Sequence, residues 1–184
     1  MEHETRSGTE EAEGPRNTAL LRWFCVAMVL ASMSVSTARL MEARPLASAN
    51  DRSRWCTIWS LVERGTYQID EIRQRPGWDT IDKVRHEGHF YSTKPPLLPR
   101  MVSELYRVIR ATLGWRLDRD LAATTRLLLF IVNILPMTIA LALLCQIILR
   151  YCESTFGQVL LVTTACWGTL LLPFLTTLNN HTVA

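Results

Sequence analysis

Two long apolar runs without a charged side chain constrain what this chain can fold into. Residues 127–149 and 156–175 contain no Asp, Glu, Lys or Arg, and a helix needs about 20 apolar residues to cross the hydrocarbon core of a bilayer. A weaker run, 18–38, is interrupted by Arg22 near its start, where a long side chain can reach the membrane surface. The sequence therefore predicts an all-α integral membrane protein with three transmembrane helices at these positions.

The first run has an alternative interpretation as a cleaved signal peptide. A signal peptide has a charged start, for which Arg16 and Arg22 are the candidates, followed by an apolar stretch, here residues 23–35. It ends at a small-residue cleavage site, for which Ala47-Ser48-Ala49 is the candidate. The apolar run is long for a signal, and three charged residues, Arg39, Glu42 and Arg44, precede the cleavage site. We favour a retained helix.

The arginines near the ends of the runs indicate the orientation. Arg6, Arg16 and Arg22 precede the first run and Arg150 lies in the short link at 150–155, and short segments rich in arginine stay in the cytoplasm. The N-terminus is therefore predicted to be cytoplasmic, with residues 39–126 and 176–184 extracytoplasmic. Residues 1–17 are polar and poor in apolar side chains, which predicts a disordered cytoplasmic tail.

The large loop is predicted to contain two interfacial helices and a short hairpin. Trp55, Ile58, Trp59 and Val62 fall on one face of a helix near 54–64, which Gly65 would end. Two tryptophans on that face suit a position among lipid headgroups, and an ordinary packed helix fits equally well. Residues 84–92 alternate in polarity and predict the hairpin.

The second helix of the loop, near 96–113, is opened by Pro95 and Pro96. Its positions separate into an apolar face and a charged face. The apolar face consists of Leu97, Leu98, Met101, Leu105, Val108, Ile109 and Thr112, and the charged face of Arg100, Glu104, Arg107 and Arg110. Four charges make this helix too polar to span a membrane, so we expect it along the outer surface.

Asp51 and Lys94 are the candidate chemical groups of the loop. Asp51 can act as a helix N-cap, or as a carboxylate that takes a proton from an acceptor hydroxyl. Lys94 stands before two prolines on a stiff backbone, next to the amphipathic ring of Tyr91. It can present an ammonium to a phosphate at the membrane surface, or act as an anchor that precedes a helix.

Metal and nucleic-acid sites are not expected. His86 and His89 flank a hairpin turn, and their spacing is not that of zinc peptidases. The cysteines are scattered, with no zinc or disulfide pattern. A net charge of +3 does not indicate a nucleic-acid binder. No cofactor is predicted, and a requirement for a divalent metal stays open.

The order of these features resembles the start of GT-C superfamily membrane glycosyltransferases of the protein mannosyltransferase and aminoarabinose transferase type. The resemblance rests on Asp51 after the first span, on Arg54, on the run from Tyr91 through Lys94-Pro95-Pro96-Leu97, and on Arg126 before the next span. It implies sugar transfer from a polyprenyl-phosphate donor on the outer face of a bacterial inner membrane. Asp51 would then activate the acceptor as the catalytic residue. Lys94 would stabilise the departing lipid phosphate, and Arg54 and Tyr91 would help to bind the substrate.

Two departures from that family limit what the chain is expected to do alone. Family members have many more spans, and they commonly carry another acid where this chain has Asn179, Asn180 and His181. We therefore expect a fragment that is inactive alone, or one that a partner chain completes with the missing helices. The alternative is a small non-catalytic membrane protein, either a partner subunit or a truncated gene product.

Overall fold

The computed structural model describes residues 15–169 and 172–179. It has three helices long and apolar enough to cross a membrane, Ala19–Glu42, Leu121–Tyr151 and Thr155–Thr176. The prediction of three such helices in a mostly helical chain is therefore confirmed. Most of the predicted tail at 1–17 lies outside the described residues, and so do residues 180–184, which include Asn180 and His181. Helix α1 (Pro15–Glu42) already begins within the segment predicted as tail.

Helix α2 (Ala49–Glu63) starts earlier than the expected position near residue 54. The reason is Ser48, whose Oγ accepts the amide of Asp51 at 3.1 Å and so caps the first turn. Trp55, Ile58 and Trp59 are fully or almost fully buried. Of the two interpretations of this helix, the structure shows the packed one.

A short 3₁₀ helix (Ile72–Gln74) and a two-stranded hairpin follow α2. Strands β1 (Lys83–His86) and β2 (His89–Ser92) pair antiparallel, with Lys83 opposite Ser92 and His86 opposite His89. Glu87 and Gly88 form the turn, both with positive φ, as a type I′ hairpin turn requires. The hairpin occupies the segment for which the alternating pattern predicts it.

Helix α3 (Leu97–Leu113) lies against α2. It ends at Gly114, whose left-handed conformation is typical of a helix C-terminus. The Tyr106 hydroxyl donates to Glu63 Oε1 at 3.0 Å, and Arg110 and Arg116 also approach the buried Glu63 carboxylate, each at 3.1 Å. These bonds join the end of α2 to α3 and to the connection that follows it.

The second candidate span is one continuous helix with a change of winding. Helices α4 (Leu121–Leu129) and α5 (Leu135–Tyr151) are joined by a π-helical turn (Phe130–Ile134), in which the Leu135 amide bonds to the Phe130 carbonyl. Pro136 follows directly and has no N–H to continue α-helical bonding into this turn. A wider turn before a proline is a common adjustment of a helix.

The third candidate span is not a single α-helix. Helix α6 (Thr155–Trp167) begins at the cap Ser154, and a 3₁₀ helix (Leu172–Thr176) completes the span. Leu175 of this 3₁₀ helix and Leu178 just beyond it join the buried cluster that contains Trp55 of α2 and Leu128 of α4. A second buried cluster, which includes Cys25, Cys145 and Cys166, holds α1, α5 and α6 together.

Candidate functional site

Asp51 lies in the first turn of α2 with only 4% of its surface exposed. Its Oδ1 accepts two hydrogen bonds, from Trp55 Nε1 at 2.9 Å and from the Leu178 amide at 3.0 Å. Ser48 is the N-cap of the helix, so the interpretation of Asp51 as the cap is wrong. The Asp51 side chain instead joins the start of α2 to the end of the third span.

Arg54 binds the same peptide segment one turn further along α2. Its Nη1 donates to the Leu178 carbonyl at 3.0 Å, and the residue is buried. Asp51 and Arg54 therefore engage the N–H and the C=O of a single residue. Arg54 was expected to bind substrate, and in this structure its guanidinium binds a carbonyl of its own chain.

Asn133, in the π-helical turn, is the site residue that the sequence reasoning missed. It is almost fully buried, and its Nδ2 donates to the carbonyls of Leu175 at 3.0 Å and Thr177 at 2.9 Å. Asn179 Nδ2 also donates into this segment, to the Phe174 carbonyl at 2.9 Å. The available signal was a single amide side chain in an uncharged apolar run, three residues before a proline.

Burial controls the ionisation of both α2 side chains. Burial raises the pKa of Asp51 to about 6, although the Leu178 amide, the Trp55 indole and the Arg54 charge all oppose the shift. Burial likewise lowers the pKa of Arg54, against the charges of Asp51 and Asp82. The Asp51 carboxyl can therefore exchange a proton near neutral pH.

Lys94 is linked to this site through Asp82. Its Nζ lies 3.3 Å from Asp82 Oδ2, and the Asp82 carbonyl accepts a 2.6 Å hydrogen bond from Ser53 Oγ on α2. The Asp82 charge also acts on Arg54. Asp51, Arg54, Asp82 and Lys94 thus form a series of alternating charges, in which an acid stands between Lys94 and Arg54.

Tyr91 belongs to the hairpin. Its hydroxyl accepts a bond of 3.4 Å from Gln68 Nε2, and its ring centroid lies 6.3 Å from that of His86. Its hydrogen-bond and ring contacts within the described part of the chain are with these loop residues. The structure brings Asp51 and Arg54 together directly and Lys94 through Asp82, and it places Tyr91 beside Gln68 and His86.

One small cavity borders Asp51, and a larger one adjoins that small cavity. The smaller, of about 10 Å³, is bordered by Asp51, Arg44 and Arg126 and has room for about one water molecule. The larger, of about 570 Å³, lies between the end of α1 and the third span, with Arg39 and Trp167 in its wall. Both are bordered by Ala43 and Thr176. A volume of this size is in the range of small-molecule sites.

No metal site stands out in residues 15–169 and 172–179, where no group of three or more His, Cys, Asp or Glu side chains could hold an ion. His89 instead lies 3.2 Å from Asp70, and His86 lies beside Glu87.

No protein-family model, no curated protein and no solved structure matches the chain. The function is therefore inferred from the residues and their geometry.

Proposed function

We propose that this chain forms the outer-face part of a GT-C glycosyltransferase active site, which moves a sugar from a polyprenyl-phosphate donor to an acceptor hydroxyl. The observation that carries the proposal is the buried Asp51 carboxyl, whose pKa is raised to about 6 and which borders a small cavity that shares Ala43 and Thr176 with a cavity of about 570 Å³. A general base works best when its pKa is near the operating pH. The alternating charges from Asp51 to Lys94 support the same proposal.

In the proposed reaction Asp51 accepts the proton of the acceptor hydroxyl. The acceptor oxygen forms a bond to the anomeric carbon of the sugar, and the bond from that carbon to the phosphate oxygen breaks. The electron pair leaves with the polyprenyl phosphate, so the charges balance. The Trp55 indole and the Leu178 amide both donate to Oδ1, and the Leu46 backbone also hydrogen-bonds the Asp51 carboxyl. Arg44 and Arg126, beside the small cavity, lie where developing phosphate charge would be stabilised.

The proposed membrane placement puts the loop on the outer face, with α3 along the bilayer surface. Three apolar side chains on one side of α3 are strongly exposed, with 70% of Leu97, 61% of Met101 and 60% of Val108 accessible. Arg100 and Arg107 flank them, and both arginines pair with Glu104, at 3.2 and 2.8 Å. Exposed apolar side chains beside charged ones are typical of helices at the membrane surface. α2 is covered by protein, so this placement is proposed for α3 alone.

Replacement of Asp51 tests the proposed function. In membranes from cells that express the protein from its own locus, Asp51→Asn is expected to reduce transfer of labelled sugar from the polyprenyl phosphate at least 100-fold, as loss of a general base does. Asp79→Asn is the matched control, because Asp79 is an exposed loop aspartate paired with Lys83. Membrane insertion of both variants is measured by resistance to alkaline extraction. Wild-type transfer by an inserted Asp51→Asn variant would contradict the proposal.

Replacement of Lys94 tests the donor-binding role. Lys94→Ala is expected to raise the KM for the polyprenyl-phosphate donor, with a smaller effect on kcat, because the ammonium would contact the phosphate before and during reaction. Lys83→Ala is the control, since Lys83 is the other lysine of the chain and binds Asp79. An unchanged KM for the Lys94 variant would leave Lys94 as a partner of Asp82 only.

A non-catalytic membrane protein is the second candidate, and one observation favours it. Asp51 and Arg54 bind Leu178 of the same chain, and Lys94 binds Asp82, so these three side chains have partners without any substrate. Under this alternative the charged side chains hold the loop onto the spans. Asp51→Asn would then leave any phenotype of the protein unchanged.

A further inference from the structure

We propose that Asn133 is a positioning residue, which holds the segment after the third span so that the Leu178 amide stays on Asp51. The contacts form a short path. Asn133 Nδ2 binds the carbonyls of Leu175 and Thr177, and the next amide along the chain, that of Leu178, donates to Asp51 Oδ1 at 3.0 Å. The Asn133 side chain thus holds the backbone just before Leu178, whose amide donates to Asp51.

The winding of the second span gives independent support. Asn133 lies within the π-helical turn Phe130–Ile134, the one departure from α-helical winding among the described residues of this span. π-turns inside α-helices occur often at functional sites. Asn133 is almost fully buried, and an amide so placed in an apolar helix needs partners of its own. The 172–179 segment supplies two carbonyl partners to this amide.

Few charged groups lie around Asp51, so the effect of Asn133 on the pKa of Asp51 can be separated from theirs. On α2 the Arg54 guanidinium faces Asp51, with Asp82 beyond it. Arg126 on α4 and Arg44 between α1 and α2 border the adjoining cavity. From the third span the Leu178 amide makes the contact, and that amide is the group that Asn133 controls. Its hydrogen bond lowers the pKa of Asp51, so its loss raises that pKa.

The catalytic consequence rests on the proposed function. If Asp51 is the base that accepts the acceptor proton, Asn133 keeps a larger fraction of it ionised at neutral pH. Loss of the amide would then move the acid limb of the transfer reaction to higher pH. The positional claim itself concerns only Asn133, Leu178 and Asp51, and it can be measured without any transfer.

The test is a pH titration of the Asp51 carboxyl carbon by ¹³C NMR in lipid nanodiscs, assigned by its absence in Asp51→Asn. Asn133→Leu and Asn133→Ala each remove both amide donors. The midpoint for Asp51 is expected to rise by about one pH unit, as for loss of one hydrogen bond to a carboxylate. Thr138→Val is the matched control, because Thr138 lies in the same span and its hydroxyl bonds to the Ile134 carbonyl of its own helix. No shift is expected there.

An unchanged midpoint in a folded Asn133 variant would overturn the inference. Loss of the folded protein in both variants would also overturn it, because Asn133 would then serve folding alone. A shifted midpoint supports it, and the pH profile of transfer then separates the two proposals. A matching shift of the acid limb supports both. A shifted midpoint with an unchanged acid limb supports the positioning by Asn133 and removes Asp51 as the base.

Discussion

Asp51 is a side chain whose ionised form is costly in the folded protein. Its pKa is raised from 3.8 to about 6, so the folded state binds a proton more readily than the unfolded chain. Such a group lowers stability as pH rises through the interval between the two values. The stability of the protein is therefore linked to the same carboxyl that the proposed reaction uses.

This linkage predicts a pH-dependent effect of Asp51→Asn on stability. Between about pH 4 and pH 6 the free energy of unfolding of the wild type is expected to fall by about 3 kcal/mol relative to that of the variant. Above about pH 6 the difference is expected to stay constant. The asparagine Oδ1 can still accept both N–H bonds. The difference between the two thermal unfolding profiles in detergent, followed by tryptophan fluorescence, isolates this group from the others. A flat difference, or one of opposite slope, would contradict the prediction.

The sequence located Asp51 near the start of a helix but not what it binds. Its partner Leu178 lies 127 residues further along the chain, and no local pattern connects the two. Asn133 was missed for the same reason, because its hydrogen bonds are to carbonyls more than 40 residues away. Local patterns identify which residues are unusual, whereas the partners of those residues depend on how the spans pack.

Helix α2 depends on a cap that apolar periodicity does not reveal. The periodic positions begin at Trp55, whereas the first turn, from Ala49, is polar and is started by Ser48. Asp51 enters the helix only because this turn forms. The boundaries of α3 were easier to predict, since a proline pair precedes it and Gly114 ends it.

Removal of this cap is expected to loosen the start of α2. Ser48→Ala should destabilise the first turn by about 1 kcal/mol, because the Asp51 amide loses its acceptor. Hydrogen exchange of the amides at residues 51 and 52 is expected to accelerate several-fold. Ser48→Thr keeps a hydroxyl and serves as the control. Equal protection in the wild type and Ser48→Ala would show that tertiary contacts alone hold the turn.

The whole molecule consists of a bundle of helices long and apolar enough to cross a membrane and a loop domain joined to it at one end. The apolar runs were sufficient to predict the three candidate membrane helices, because each run is long enough to cross the hydrocarbon core of a bilayer and contains few charged residues. The break in the third span was not predicted. Its composition is as apolar as that of a continuous helix, and the segment after it turns toward α2.

The orientation of the molecule can be tested with engineered cysteines. Glu87→Cys lies in the exposed hairpin turn and Glu153→Cys in the exposed link between α5 and α6. The remaining partly exposed thiol is removed by Cys152→Ser in both variants. A membrane-impermeant maleimide is expected to label position 87 in intact cells and position 153 only after permeabilisation. The reverse pattern would place the N-terminus outside.

The π-helical turn also sets the phase between the two ends of the second span. Each residue of an α-helix advances the side chains by about 100°. α4 packs on α3 in the loop domain, whereas α5 packs on α1 and α6 in the bundle. If all five residues 130–134 wound as a plain α-helix, α5 would rotate by about a quarter turn relative to α4, because the wider π turn takes about one extra residue to complete the same rotation. The residue count inside this turn, more than the identity of its apolar side chains, therefore keeps the two buried clusters in register.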